Sequence, residues 1–342
     1  MPETLGPDAA IRAWAPGRVN LIGEHTDYVG GLAVPMAIDL GTTIIGRRIP
    51  GEVELRSDGF PGTVHLPLDL TDPASVEPSW GRYVAGVISV LRPRFGIRGD
   101  VATTIPVGTG LSSSAALELA VAMAVGAEGS PLEVALACQQ AEQTASGVPC
   151  GVMDQLTSAA GVAGHVLLID FASLHVEPVP VPAGVDVVVV PSGQQRELAG
   201  SAYAERRAQL EAAEREIGPL RTAGRADVER LTDPVTRARA RHVVTENERV
   251  RAFVEAFRAG DLAGAGTLMI EAHASFRDDF DASTPVVDAL VERLVATPGV
   301  HGARLTGGGF GGCAVALTEP GVLHEGWTVQ AAAGARVEAL DR

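Results

Sequence analysis

Residues 24–27 read Glu-His-Thr-Asp, inside an otherwise apolar stretch. Carboxylates accept bidentate hydrogen bonds, so Glu24, His25 and Asp27 within four positions suit a ligand with several neighbouring hydroxyls, as a sugar has. A solvated polar loop would use the same residue types. A second stretch, Pro106 to Glu118, reads PVGTGLSSSAALE. Gly108, Thr109, Gly110 and Leu111 lead into Ser112, Ser113 and Ser114, which open an alanine-rich helix. Backbone N–H groups, hydroxyls and the positive end of a helix dipole then converge on one place, which is a phosphate cradle. One serine would be an ordinary helix cap; three after Gly-x-Gly go beyond capping.

The chain contains no lysine, and all 27 basic residues are arginine. The Walker loop and the protein-kinase strand lysine are therefore excluded. A dinucleotide fingerprint is disfavoured too, because it follows the first strand of a βαβ unit, whereas here a long strand-rich region comes first. If the chain handles nucleotide, backbone, serine and metal must do the work that lysine does elsewhere. Two further stretches carry chemistry. In CQQAEQTASGVPCGVMDQ (138–155), Glu142 sits late on a helix and Asp154 follows Gly147, Pro149 and Gly151. An exposed helical acid and a helix N-cap are the plain alternatives for these two. In LTGGGFGGCAVAL (305–317), five glycines in six positions require positive φ or close backbone approach.

The elements that must position these groups follow from periodicity. Strands are expected at Ile11–Ala15, Thr42–Arg47, Val53–Ser57, Val101–Ile105, His165–Asp170, Val185–Val190, Gly302–Thr306 and Cys313–Thr318. Helices are expected at Trp80–Leu91, Ser114–Val125, Leu132–Ser146, Asp154–Ala160, Glu197–Ile217, Thr236–Ala259, Leu262–Ala272 and Val286–Val295. Val179–Gly184 is the best linker. Strands and helices do not alternate regularly, so the class is α+β. At 342 residues, two domains are expected, divided as 1–180 and 181–342.

A net charge of −15 argues against nucleic acid and anionic membranes as partners. Three cysteines at no metal-ligand spacing suggest a reducing compartment. Neither a leader nor a membrane span is expected, so a cytoplasmic location follows.

Taken together, the motifs resemble the GHMP kinases and, among them, the galactokinase family. GRVNLIGEHTDY (17–28), the serine loop and the 305–317 motif carry the likeness, with smaller echoes at PCGVMDQ (149–155), SAYAERR (201–207) and HASFRDDFDAS (273–283). Departures are mild: Val29 stands where Asn is frequent, and Ala272 precedes His273 where Ser is common. The resemblance implies ATP-dependent phosphorylation of the C1 hydroxyl of α-D-galactose in a cleft between two domains. It implies Asp154 as the catalytic acid-base residue and Arg18 as its stabilising cation. Glu24, His25, Thr26, Asp27, Gly151 and Tyr203 would bind the sugar. Gly108, Thr109, Gly110, Leu111, Ser112, Ser113 and Ser114 would wrap the triphosphate, with Ser57 and Trp80 lining the nucleotide pocket. Ser114 and Glu142 would hold Mg²⁺. The partners are small molecules, and a monomer is expected. A kinase for N-acetylgalactosamine or arabinose, or a non-catalytic galactose and ATP sensor, remains open.

Overall fold

A computed structural model describes residues 6–106, 108–194 and 199–340. The first half runs β1 (Ala10–Asn20), β2 (Leu32–Ala33), β3 (Pro35–Ile49), β4 (Glu52–Ser57), β5 (Thr63–Pro67), α1 (Gly81–Leu91), β6 (Gly96–Thr103), α2 (Ser113–Ala124), α3 (Pro131–Ser146), α4 (Met153–Ala160), β7 (His165–Asp170) and β8 (His175–Pro180). The second runs β9 (Asp186–Pro191), α5 (Ala199–Ile217), α6 (Arg225–Val228), α7 (Pro234–Ala259), α8 (Leu262–Asp278), α9 (Pro285–Val295), β10 (Val300–Thr306), β11 (Cys313–Thr318), β12 (Trp327–Val329) and β13 (Arg336–Ala339). The class is α+β, as expected.

Three sheets result, ordered β13-β1-β3-β6-β4-β5, β10-β11-β9-β12 and β2-β7-β8. The first sheet buries one face under α1, α2 and α3, with Ile11, Ile44, Leu55, Val84, Ile88 and Leu119 in its core. The β9–β11 sheet packs on α8 and α9. Helix ends carry the expected chemistry. Ser130 and Glu133 form a capping box around Pro131 at the start of α3, and Asp233 caps α7 through the Thr236 N–H at 2.7 Å.

Several boundaries differ from the sequence reading. The strand expected at Ile11–Ala15 continues to Asn20, so Arg18 stands on a strand. β6 starts at Gly96, earlier than Val101, and α8 runs on past Ala272 to Asp278. Val179 and Pro180 belong to β8 rather than to a linker; Val179 is buried in an apolar cluster. Of the helix expected from Glu197, Glu197 and Leu198 lie outside the described residues. β13 returns to pair antiparallel with β1, so strand pairing crosses the division expected after residue 180.

Candidate active site

The register of β1 against β3 slips between Pro16 and Arg18. The intervening Gly17 lies directly under the serine loop, where a Cβ would press on the Leu111 carbonyl oxygen at 2.6 Å. That same oxygen accepts from the Arg18 N–H at 3.1 Å. The bulge re-aims Arg18 across the loop. Its Nε and Nη2 donate to the two Asp154 carboxylate oxygens, each at 2.8 Å, and its Nη1 donates to the Gly110 carbonyl at 2.7 Å. A planar fork facing a carboxylate fixes both partners in direction as well as distance. Asp154 lies in the first turn of α4 and also accepts from the Ser112 hydroxyl. It does not cap that helix: Val152 is the cap residue, and the Asp154 oxygens turn away to Arg18 and Ser112.

Beyond β1 the chain turns sharply through Gly23 (φ 101°) and His25 (φ 59°). The turn helps line a pocket of about 200 Å³, with Arg18, Glu24, His25, Asp27, Glu142, Gly151, Asp154 and Tyr203 on its walls. Gly151 has no room for a side chain, because a Cβ would collide with the Asp27 carboxylate. Burial and the nearby Asp154 push Asp27 up from the usual 3.8 to about 6. Glu24 is raised too, by burial working against Arg304 and Arg18, and its Oε1 accepts from the Gly307 N–H at 2.7 Å. His25 Nδ1 sits 2.8 Å from the Tyr28 hydroxyl and Nε2 sits 3.2 Å from the Gly308 carbonyl. Its ring lies 5.0 Å from that of Tyr203 and 4.5 Å from that of Phe280. Thr26 faces into the turn. It is fully buried, its hydroxyl lies 2.8 Å from the carbonyls of both Gly23 and Leu32, and it tightens the turn instead of facing the pocket.

A second pocket of about 470 Å³ is lined by Ser57, Phe60, Trp80, Tyr83, Ser113, Ser114 and Leu117, among others. The loop at its mouth needs left-handed backbone at Gly108 (φ 76°), Gly110 (φ 79°) and Ser112 (φ 58°). The Thr109 hydroxyl closes it onto the Pro106 carbonyl at 2.6 Å. The Leu111 side chain is buried in an apolar cluster with Val19 and Ile22, so its backbone is what it offers the loop. Ser114 Oγ donates to Glu142 Oε1 at 3.0 Å. Ser114 lines the larger pocket and Glu142 the smaller, so the two cavities meet at this contact.

Two residues escaped the sequence reading. Gln155 Nε2 donates to Glu118 Oε2 at 3.0 Å and to Glu142 Oε2 at 2.5 Å, bridging two acids. Glu118 is fully buried; burial, then the charge of Glu142, hold it well above the usual carboxylate range. The available signal was a single acid on the apolar run Ala115–Ala122. Burial and Asp154 raise Glu142 in turn.

The chain matches the model of the galactokinase galactose-binding signature over residues 3–48, and those of the GHMP kinase N-terminal and C-terminal domains over 82–162 and 253–324. It is 41% identical to the galactokinase of Homo sapiens, across 99% of this chain and 95% of that one. The chain belongs to the galactokinase family. A second relative, the galactokinase of Chloroflexus aggregans, is 43% identical across 92% of this chain and 85% of its own. Among solved structures, the galactokinase of Lactococcus lactis complexed with galactose superposes with a TM-score of 0.88 at 32% identity, covering 95% and 94% of the two chains. The mevalonate kinase of Methanococcus jannaschii shares the fold at a TM-score of 0.67 and 20% identity, covering 92% of each chain.

Proposed function

We propose that the chain transfers the terminal phosphoryl group of ATP to the C1 hydroxyl of α-D-galactose, giving galactose 1-phosphate and ADP. The observation that carries this is Asp154, bracketed by the Arg18 fork and the Ser112 hydroxyl on the wall of a polar, sugar-sized pocket that meets a serine-lined one at Ser114 and Glu142. Phosphoryl transfer runs through a loose transition state and needs positioning and charge neutralisation more than covalent help. In this reading Asp154 orients the C1 hydroxyl and accepts its proton late. Arg18 holds Asp154 in place and supplies the fixed cation that lysine supplies elsewhere. Glu24, His25, Asp27 and Tyr203 hold the other hydroxyls, with Gly151 leaving room for Asp27. Gly108–Ser114 contact the phosphates, and Ser57 and Trp80 flank the base.

Mg²⁺ fits the residues present. Asp27, Glu142 and Asp154 line one pocket and buried Glu118 is bridged to Glu142 by Gln155; each of Asp27, Glu118 and Glu142 is held above its usual carboxylate range, by burial first and by a neighbouring carboxylate second. A divalent cation relieves that excess, and hard oxygen donors suit it. Ser114 and Glu142 would hold it, with water and phosphate oxygens completing the shell. Among the described residues no group of three or more His, Cys, Asp or Glu could hold a metal, so the shell would depend on those water and phosphate oxygens. When bound, the ion neutralises phosphate charge.

A cytosolic monomer built of two lobes dividing near residue 180, with β13 returned to the first, completes the proposal. Light scattering and limited proteolysis check those points. The activity itself is tested by ADP release with ATP, Mg²⁺ and a panel of sugars. Turnover with galactose is expected; no turnover of any sugar, with galactose and ATP still bound, would identify a sensor instead.

A further inference from the structure

β10 carries an arginine with no part in the reaction proposed above. Arg304 is fully buried, and none of its three side-chain nitrogens has a hydrogen-bond partner among the described residues. A guanidinium brings five N–H donors, and leaving them buried and unpaired is costly. What faces them is charge. Nη1 lies 3.9 Å from Glu24 Oε1 and Nη2 lies 3.9 Å from Glu246 Oε1, and both acids are buried.

Each of those oxygens is already engaged with a segment behind the sugar pocket. Glu24 Oε1 accepts from the Gly307 N–H, next to Gly308, whose carbonyl faces His25. Glu246 Oε1 accepts from the Gly23 N–H at 2.9 Å, at the start of the 23–27 turn. Glu246 also has Arg249, donating to its Oε2 at 2.8 Å. Glu24 has no other ion-pair partner within 4 Å among the described residues. Without that cation Glu24 is left buried with no ion-pair partner and Glu246 with Arg249 alone, a costly state at low local dielectric. The turn, the glycine motif and α7 would then lose their common anchor.

We propose that Arg304 is a positioning residue for the sugar: from behind the pocket it holds Glu24 and the Gly23–Asp27 turn at the depth where Glu24 meets a galactose hydroxyl. It does not touch the substrate. This rests on the galactose reading above.

The test compares Arg304→Lys and Arg304→Met with wild type, measuring melting temperature, kcat, KM for galactose and ATP separately, and galactose affinity by calorimetry. Arg304→Met is expected to raise the galactose KM about tenfold or more and leave the ATP KM within about twofold. Arg304→Lys is expected to recover part of the loss, because one ammonium keeps the charge but lacks the fork that faces two carboxylates. A folded variant of either kind with galactose KM and affinity within about twofold of wild type overturns the proposal. So does a parallel rise in both KM values, the mark of general loosening. If Arg304→Met does not fold, Arg304→Lys decides by the same criteria. Wild-type protein that binds no galactose overturns the galactose reading, and this proposal with it.

Discussion

The two pockets that meet at Ser114 and Glu142 are built from different materials. The smaller is walled by polar and titratable side chains held from behind: Arg18 by Gly110 and Asp154, Glu24 by Gly307, and His25 by Tyr28 and Gly308. The larger is walled mostly by small hydroxyls, rings and aliphatic side chains, including Ser57, Phe60, Trp80 and Tyr83, with Arg82 among them. Hydroxyl positions on a sugar are discriminated by placed charges, because a mismatch leaves buried groups unpaired. Phosphate oxygens are met by N–H groups that any residue supplies, provided the loop takes left-handed backbone at the right points. Substitutions on the two sides should therefore separate cleanly in their effects.

The largest expected effect falls at Asp154, on the wall of the smaller pocket. Asp154→Asn should lower kcat by about 10²–10⁴-fold, with galactose affinity by calorimetry changed only severalfold; a variant keeping more than about a tenth of wild-type kcat contradicts the role given to Asp154. Next is Gly151→Ala, which drives a methyl into the Asp27 carboxylate. Displacing a binding group by about 1 Å can cost about 100-fold, so the galactose KM should rise by up to that factor while the ATP KM stays put. If both rise together, the pockets are not separable.

Asp27 gives a pH test. Its carboxyl is held at about 6 rather than 3.8, by burial first and Asp154 second. The fold therefore favours the protonated form, a preference present in full below about pH 4 and lost as pH rises through about 6. The ionised form is the one that accepts sugar hydroxyls, so kcat/KM for galactose should fall as pH drops below about 6, approaching tenfold per unit. Asp27→Asn mimics the protonated form throughout. It should raise stability near pH 7.5, by at most about 2–3 kcal/mol, while weakening galactose use; calorimetry and kinetics on the same sample check both. Unchanged stability would mean the burial strain on Asp27 is absent. The smallest effect is expected for Trp80→Phe, whose indole N–H donates to the Pro61 carbonyl at 3.3 Å. A rise of a few-fold in ATP KM, with galactose KM unmoved, is the expected result.

Much of this site was legible in the sequence because its chemistry is local. Glycines that need positive φ, three serines at a helix start and Glu-His-Thr-Asp after a strand each declare themselves within a dozen residues. What stayed hidden depends on direction and distance. Thr26 and Leu111 share a motif with their neighbours, yet the turn and the loop point both side chains inward. Asp154 looked equally able to cap a helix until Arg18, far away in sequence, took its oxygens. Gln155 and Arg304 act through acids on other elements, and no local pattern marks them. β13 pairs with β1 across almost the whole chain, a contact that spacing does not encode.

The central claim is that placed charges in the smaller pocket select galactose. Galactose and glucose differ only in the configuration at C4, so the most direct measurement is kcat/KM for each with ATP and Mg²⁺. Glucose is expected to be used orders of magnitude less efficiently, since the wrong C4 hydroxyl leaves a buried partner unpaired. Equal values for the two sugars would contradict the claim.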